Sequence, residues 1–495
     1  MTGSSYLELL QLTAPEIVMA LAGLLVLVVD LSFLRLSALS LRFRCAAFTG
    51  CGGCILALGV LAMMPAQGAL PAGMLTVNSL TQLLQITLLG LAILVLLLAA
   101  SARFTPHAGE YCALILFATT AMMLLVSTHN LLVIFISIEF LSLTLYVLTA
   151  FDKASQQSAE AGLTYFLYGG MSAGILLFGI SLLYGLSGSL ALERIAQVVA
   201  GSSSDPLVTP AIVMVLAGFA FKIAAAPFHM WAPEAYQGAP TSSATLVASS
   251  SKVASIYALF VVFSVGLSAT AGRADWGHYS PGWAGLVALL AAASMLWGNL
   301  AAIAQTSLRR LLAFSAVGHA GYMLIALVAH SRQSLVALVY YVVTYALATA
   351  GVFAVLAALE EQKADNLADL RGLARRAPDL SLCLLIFLLS LAGIPPLAGF
   401  FGKFYVFVAA LNLGNQLGLL WLVALALATS VVSFYYYLKV LKQVYVAEPP
   451  AEAKTIQVPV LVRFVSWIAA ALVLLLGVLP DLLLHRIAAA LPMAF

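Results

Sequence analysis

Charged side chains are scarce in this sequence of 495 residues: they make up 8% of it, whereas hydrophobic residues make up 63%. A soluble domain carries about 25% charged residues. A chain with so few charges cannot cover its surface against water, which excludes a soluble globular protein. Its net charge of +3 gives no sign of nucleic-acid binding. The longest polar stretches, near 201–205, 360–378 and 447–454, are too short for a domain and are predicted to be loops.

Cysteine is scarce as well, and its pattern argues against a metal or redox centre. The pair Cys51 and Cys54 has C-x-x-C spacing, but it lies in a hydrophobic segment without a second pair or a nearby histidine. An iron–sulfur or zinc site needs about four ligands. We therefore expect the cysteines to be small residues between helices, and we expect no metal or redox cofactor on this chain.

We expect no cleavable leader at the start of the sequence. The first residues have no basic segment, and Glu8 and Glu16 stand where one would be. No small-residue cleavage site follows before the second hydrophobic run. We expect the first hydrophobic segment to remain in the mature protein.

Long hydrophobic runs fill most of the chain. A membrane-spanning helix needs about 20 apolar residues. Fourteen runs meet this requirement: 16–34, 45–64, 78–100, 111–128, 130–150, 161–187, 207–232, 240–268, 282–303, 307–329, 333–358, 380–411, 418–442 and 461–485. The sequence thus predicts an all-α integral membrane protein that forms a single polytopic domain over 1–495.

The distribution of basic residues predicts the orientation. Most Lys and Arg fall in the loops after odd-numbered spans, whereas the opposite side holds only Arg194, Arg273, Arg332 and Arg486. Loops rich in Lys and Arg stay in the cytoplasm. Both termini are therefore predicted to be periplasmic.

Three lysines and one glutamate lie inside the predicted spans: Lys222, Lys252, Lys403 and Glu139. Each costs about 2.5–3.5 kcal/mol at the centre of a bilayer, and such residues often mark proton relays. Burial destabilises the ammonium form of lysine, so a buried lysine can release its proton near neutral pH. Glu139 is the expected partner of Lys222 or Lys252. The alternative is a structural role, in which a lysine reaches the interface or an ion pair joins two helices.

Polar side chains on three helix faces predict a hydrated path between these residues. Hydroxyl groups can hold water, although Ser and Thr often bond to a carbonyl of their own helix instead. His319 is predicted to connect the two halves of the chain because histidine exchanges its proton near neutral pH. The three faces are Glu139, Ser142 and Tyr146; Thr245, Ser249, Lys252 and Ser255; and Ser315, His319 and Tyr322.

A short internal repeat places two lysines beside prolines. The sequence GFAFK at 218–222 recurs as GFFGK at 399–403; Pro227 follows the first copy, and Pro395 and Pro396 precede the second. Paired interrupted helices mark transport sites in many secondary transporters. The copies lie five spans apart, which predicts inverted repeats. Trp231, near the end of the first copy's span, is expected at the membrane interface.

Three segments together resemble the antiporter-like membrane subunits of respiratory complex I. They are FKIAAAPFHMWAPEAYQGAPT at 221–241, followed by Lys252; RRLLAFSAVGHAGY at 309–322; and LAGIPPLAGFFGKF at 391–404. The resemblance covers about 130–440. The chain departs from it at Gln237, where the family usually has Glu, and at Glu234, where Asp is frequent.

The resemblance implies two inverted five-helix bundles, spans 4–8 and 9–13, each with one broken helix. Three helices within 1–110 would precede the halves at 111–268 and 282–442, and a last helix would lie within 443–495. The resemblance further implies that Glu139 pairs with Lys222, that Lys252 is central, that His319 bridges the halves and that Lys403 serves the second half.

The implied function is that of a non-redox, proton-translocating subunit of NADH:quinone oxidoreductase in the bacterial inner membrane. NADH, FMN, iron–sulfur clusters and quinone would bind to other subunits. The implied partners are M-like and small K-like subunits, the lateral helix of subunit L, and lipid. Lys403 stands where subunit M usually has Glu. The chain ends soon after the fourteenth predicted span, whereas subunit L continues into a long lateral helix. We therefore expect the third antiporter-like subunit of the family, the one that is neither L nor M. The alternatives are a subunit of a multisubunit cation/proton antiporter and a structural spacer.

Overall fold

The protein is described here from a computed structural model over residues 3–65, 67–201, 205–360, 365–412, 418–449 and 456–491. Parts of the three predicted polar loops, 202–204, 361–364 and 450–454, lie outside the described residues.

The described chain is almost entirely helical. Its α-helices are α1 Gly3–Leu12, α2 Ala14–Phe33, α3 Leu39–Met63, α4 Ser79–Ala99, α5 Ala108–Val126, α6 Leu131–Thr149, α7 Gln156–Ser187, α8 Leu192–Gly201, α9 Val208–Lys222, α10 Trp231–Gly238, α11 Thr241–Ala248, α12 Ser250–Val261, α13 Trp283–Ile303, α14 Leu308–Ala329, α15 Arg332–Leu359, α16 Leu373–Arg376, α17 Pro378–Ala392, α18 Ala398–Leu411, α19 Leu420–Tyr445, α20 Val460–Val478 and α21 Asp481–Ala490. Strands β1 (Gln67–Ala69) and β2 (Thr76–Asn78) form a short antiparallel hairpin in which Gln67 pairs with Asn78.

Twelve helical stretches within the described residues are long and apolar enough to cross a membrane. One of them, Thr241–Gly266, comprises α11, α12 and a π-helical turn. Three shorter apolar helices, α9, α17 and α18, coincide with the two remaining predicted spans. The all-α membrane fold is therefore confirmed, whereas the count of fourteen spans and the inverted repeats remain predictions.

One compact unit, unit 1, comprises residues 1–219, 253–270 and 489–495. Within it, α2 packs against α3 and α5, α5 packs against α4 and α6, and α6 packs against α7. Arg42 on α3 forms an ion pair with fully buried Asp30 on α2, and the Gly109 N–H donates to the same carboxylate over 3.0 Å. This pair joins three helices at one end of the unit.

The other compact unit, unit 2, comprises residues 220–252 and 271–488. Helix α13 lies along α14, and α15 packs against α17, α18 and α20. Nearly every side chain of α14 and α15 is buried. These two helices form the core of unit 2, and they carry His319 and several buried tyrosines.

The structure corrects two features of the predicted spans. The run at 461–485 is not one helix, because α20 ends at Val478 and α21 begins at Asp481, after Pro480. Proline lacks the N–H that a continuing helix would need. Trp231, expected at the membrane interface, is only 1% exposed.

Candidate functional site

The helix that carries Lys222 ends at that residue. Pro227 cannot continue an α-helix, because it has no N–H and its ring collides with the preceding turn. The chain leaves the helix through Ala224, which has a positive φ of 56°, and helical structure resumes at α10. The predicted break at Pro227 is thus present, and several backbone groups lose their helical partners there.

Side chains of unit 2 replace the partners that this break removes. Trp231 Nε1 donates to the Phe221 carbonyl over 2.9 Å, and the Ala226 N–H donates to Ser294 Oγ over 2.9 Å. A buried backbone group without a partner costs about 1–3 kcal/mol. The Phe221 carbonyl also accepts the Ala224 N–H over 2.9 Å, so buried Trp231 is its second donor.

Lys252 satisfies a further carbonyl of the same break. Its Nζ donates to the Ile223 carbonyl over 2.6 Å, and only 2% of the residue is exposed. Lys252 itself follows a discontinuity between α11 and α12 at Ser249. The lysine is consequently bound to the end of a neighbouring helix rather than to the lipid interface.

The second break lies between α17 and α18, as predicted from Pro395 and Pro396. Gly393 ends α17 with a positive φ of 89°, and its N–H donates to the Leu389 and Ser390 carbonyls. The Ser390 hydroxyl in turn accepts the Gly399 N–H over 3.0 Å, near the start of α18. Left-handed glycine is the usual end of a helix.

Lys403 satisfies the carbonyl at this second break. Its Nζ donates to the Ala392 carbonyl over 3.1 Å, and 5% of the residue is exposed. The same Nζ lies 4.9 Å from the centre of the Tyr322 ring. Each broken helix therefore presents a free carbonyl to the ammonium of a buried lysine: Ile223 to Lys252, and Ala392 to Lys403.

His319 lies on α14 in a cluster of tyrosine hydroxyls. Its Nδ1 lies 2.7 Å from Tyr341 Oη, and its Nε2 lies 3.3 Å from Tyr437 Oη. Tyr437 Oη also contacts Ser315 Oγ. A histidine with both ring nitrogens bonded to hydroxyls can exchange a proton on either side.

A second set of polar groups continues from Tyr322 on the same helix. Asn299 Nδ2 donates to Tyr322 Oη over 3.1 Å, and Tyr322 donates to Thr429 Oγ1 over 3.2 Å. The Asn299 carbonyl oxygen accepts from Tyr436 Oη over 3.1 Å. Together with the ring contact of Tyr322 to Lys403, this set connects the surroundings of the lysine to α13, α14 and α19.

Helix α10 is held by a network of charged and amide groups. Arg310 donates to Glu234 over 2.8 Å and to Gln237 over 3.2 Å. Gln237 donates to Asp365 over 2.6 Å, and Asp365 also accepts from Ser307. This network fixes the end of the segment that begins at the break after Lys222.

Lys252, His319 and Lys403 lie in unit 2, and each forms the hydrogen bonds described above. Lys222 is buried at the end of α9 and also lies in unit 2. Glu139 is partly buried on α6 in unit 1. The pairing of Glu139 with Lys222 remains a prediction.

The three predicted polar faces differ in what they bind. Ser142, Thr245 and Ser249 donate to carbonyls of their own helices, which is the structural alternative. Ser315 and Tyr322, by contrast, contact side chains of other helices. Among the contacts described, the face of α14 thus contributes hydroxyls to a network between helices.

Sequence reasoning missed Tyr341, Tyr437, Asn299, Ser294 and the donor role of Trp231. A signal was present for the tyrosines, because Tyr341 and Tyr437 lie inside apolar spans where a hydroxyl needs a partner. For Ser294 no local signal exists, since its partner, the Ala226 N–H, lies at the break 68 residues away. For Trp231 the nearby Pro227 indicated a break but not which carbonyl the indole would bind.

Comparison with known proteins agrees with this architecture. The family profile described as "NADH:quinone oxidoreductase/Mrp antiporter, TM" matches residues 128–433. A membrane subunit of "Respiratory complex I from Thermus thermophilus" is 35% identical with a TM-score of 0.79, covering 96% of this chain and 100% of that one. A chain of the Mrp complex from Dietzia sp. has a TM-score of 0.80 at 21% identity, covering 97% of this chain and 96% of that one, which shows a shared fold alone.

Two relatives specify the family further. "NADH-quinone oxidoreductase subunit N 2" of Acidobacterium capsulatum is 54% identical over 491 residues, 97% of this chain and 99% of the relative. "NADH-quinone oxidoreductase subunit N" of Granulibacter bethesdensis is 39% identical over 453 residues, 89% of this chain and 91% of the relative. The expectation of the third antiporter-like subunit is confirmed, and the chain belongs to the subunit N family of NADH-quinone oxidoreductase.

Proposed function

We propose that this chain is a non-redox subunit of respiratory complex I that carries protons through the membrane along its buried lysines. The observation that carries this proposal is the arrangement of Lys252 and Lys403, each on the free carbonyl of a broken helix. His319 lies in the same unit, with each ring nitrogen near a tyrosine hydroxyl. Such an arrangement holds a proton on each amine and offers a histidine as the exchange point.

In the proposed path, a proton taken up from the cytoplasm reaches the region of Lys222 and Lys252. It then passes through His319 and its hydroxyl neighbours to Lys403 and leaves to the periplasm. A change in the coupling of Glu139 to Lys222 would set when the first lysine releases its proton. Moving one charge against 100 mV costs about 2.3 kcal/mol, which other subunits would supply from NADH oxidation.

The remaining parts of the proposal concern the surroundings of the chain. NADH, FMN, iron–sulfur clusters and quinone would bind to other subunits. The neighbours would be M-like and small K-like membrane subunits, the lateral helix of subunit L, and lipid. The chain would lie in the bacterial inner membrane with both termini in the periplasm, in agreement with the position of its basic loops. The breaks at Pro227 and Pro395 would lie within the seventh and twelfth of fourteen spans.

The test is Lys403→Met in the assembled complex, with NADH oxidation and proton pumping measured in sealed vesicles. Removing a relay lysine is expected to lower both activities at least tenfold, the effect of about 1.4 kcal/mol on a barrier. Lys439→Met is the matched control, because Lys439 also donates to a helix-end carbonyl, that of Ile303, over 3.1 Å. If Lys403→Met oxidises NADH and pumps protons as fast as Lys439→Met and wild type, the buried lysine is structural.

A further inference from the structure

Glu16 is a buried carboxyl group that the proposed relay does not use. It lies in the first turn of α2 and is 4% exposed. Among the described residues it forms no ion pair, and its Oε2 has no hydrogen-bond partner. An ionised carboxylate in such surroundings needs a cation or several donors, because its burial otherwise costs several kcal/mol.

Glu16 does not cap the start of its helix, although glutamate often does so at this position. Thr13, Ala14, Pro15 and Glu16 have the spacing of a capping box, in which the glutamate accepts the N–H of the first residue. In this protein the Thr13 N–H donates instead to the Leu9 carbonyl over 3.0 Å, since α1 leads directly into α2. The carboxyl group of Glu16 is therefore free to turn towards α4.

One amide group holds the other oxygen of Glu16. Gln85 Nε2 donates to Glu16 Oε1 over 2.6 Å and to Ser127 Oγ over 2.9 Å. Ser127 Oγ donates in turn to the Met123 carbonyl over 2.9 Å, so towards Gln85 it acts as an acceptor. Both N–H groups of Gln85 are thus engaged. Glu16 Oε1 accepts a hydrogen bond as the carbonyl oxygen of a carboxylic acid would, and Oε2 corresponds to the hydroxyl oxygen of that acid.

The surroundings keep this group away from water but close to lipid. Gln85 lies six residues into α4, about 9 Å from its start, and the β1–β2 hairpin precedes that start. Leu24 on α2 and Ile86, next to Gln85 on α4, are each 51% exposed. An apolar molecule dissolved in the membrane can therefore reach the outer surface of these two helices, and labelling of Glu16 requires it to enter between them.

We propose that Glu16, held by Gln85 and Ser127, is a protonated carboxyl site of unit 1 and the target of membrane-soluble carbodiimides. In this reaction the carboxyl proton moves to one carbodiimide nitrogen while the carboxyl oxygen bonds to the central carbon. The acyl group then migrates from that oxygen to a nitrogen and leaves a stable N-acylurea. All atoms of both reactants are retained, so the step needs no oxidant or other reagent.

The experiment treats membranes that contain the whole complex with dicyclohexylcarbodiimide at neutral pH, followed by peptide mass spectrometry of this chain. We expect the adduct on Glu16 and its loss in Glu16→Gln. Glu160, which is exposed on α7, should show the opposite selectivity. It should react with a water-soluble carbodiimide and an amine, but not with the apolar reagent.

Gln85→Leu distinguishes a protonated Glu16 from an ionised Glu16 that Gln85 stabilises. If Glu16 already carries a proton, removing the amide leaves the labelling in place. If wild-type Glu16 is instead an anion held by Gln85, wild type is unlabelled and Gln85→Leu becomes labelled, which overturns the proposal. Infrared difference spectra of wild type against Glu16→Gln give a second readout. The carbonyl band of a protonated carboxylic acid is expected, and its absence would overturn the proposal whatever the reagent does.

Discussion

At the scale of single residues, Lys252 and Lys403 each donate a hydrogen bond to a backbone carbonyl at a helix break. The cost of placing an amine in the membrane singled out Lys222, Lys252 and Lys403 from the sequence. Their partners could not be predicted in this way. The Ile223 and Ala392 carbonyls are free only because a proline a few residues later ends each helix, and the sequence does not say which lysine reaches them.

Gly393 offers a test of the second lysine cap. Its positive φ of 89° disfavours any side chain, and an added Cβ would lie 3.2 Å from Lys403 Cδ. Gly393→Ala should therefore cost roughly 1–2 kcal/mol in backbone strain and displace the ammonium from the Ala392 carbonyl. We expect slower proton pumping and a shorter half-life of the assembled complex at elevated temperature.

Gly170→Ala is the control for this substitution. Gly170 lies inside α7, and an added Cβ there meets nothing within 4 Å. Alanine is favoured over glycine in a helix by roughly 1 kcal/mol, so this variant should lose neither pumping nor half-life. Unchanged pumping in Gly393→Ala as well would show that the position of Lys403 does not limit proton transfer.

At the scale of helices, both breaks follow from proline and were predicted from it. What followed the first break was harder to predict. Trp231 was expected at the interface from its residue type, yet it is buried and donates to the Phe221 carbonyl. Residue type indicates a preference for an environment, whereas the break creates a specific acceptor that overrides this preference. Asp30 is likewise buried although aspartate is usually exposed, because Arg42 on the next helix forms an ion pair with it.

The network around Gln237 on α10 gives a prediction at this scale. The family usually has Glu at this position, but here the Gln237 amide donates to Asp365 over 2.6 Å. Gln237→Glu would place two carboxylates in contact, at a cost of about 1–4 kcal/mol near a protein surface. We expect less assembled complex on native gels and lower NADH oxidation per cell.

A second substitution should reverse this loss. Asp365→Asn supplies an amide that can donate to the carboxylate introduced at position 237, so Gln237→Glu combined with Asp365→Asn should assemble almost as well as wild type. If the double variant assembles no better than Gln237→Glu alone, the contact of Gln237 with Asp365 does not hold the end of α10 in place.

At the scale of the whole molecule, composition alone predicted an all-α membrane protein, because 8% charge cannot cover a surface in water. Hydrophobic length predicted a run at each of the twelve long apolar helices, although the ends at Leu39, Gln156 and Val478 differ from the predicted ones by five to seven residues. It could not separate α20 from α21 or detect α8, since a short surface helix has no length requirement from the bilayer. The similarity to subunit N then defined the family, which no physical property of the sequence could do.

The orientation of the chain can be tested with two exposed positions. Lys153 and Arg273 lie in loops that the basic-residue pattern assigns to opposite sides, and both are exposed. In intact spheroplasts, a maleimide that cannot cross the membrane should label Arg273→Cys but not Lys153→Cys. In inside-out vesicles the result should reverse. Labelling of Lys153→Cys from outside would invert the orientation and with it the proposed direction of proton movement.

The central claim is that the buried lysines release and take up protons, and Lys252→Arg in the assembled complex tests it most directly. Arginine keeps a positive charge and donors for the Ile223 carbonyl, but it does not give up its proton in proteins. A proton relay therefore predicts that Lys252→Arg assembles normally and pumps as poorly as Lys252→Met, at least tenfold below wild type. Full pumping by the arginine variant, measured in sealed vesicles during NADH oxidation, would show that Lys252 only caps a broken helix and would contradict the relay.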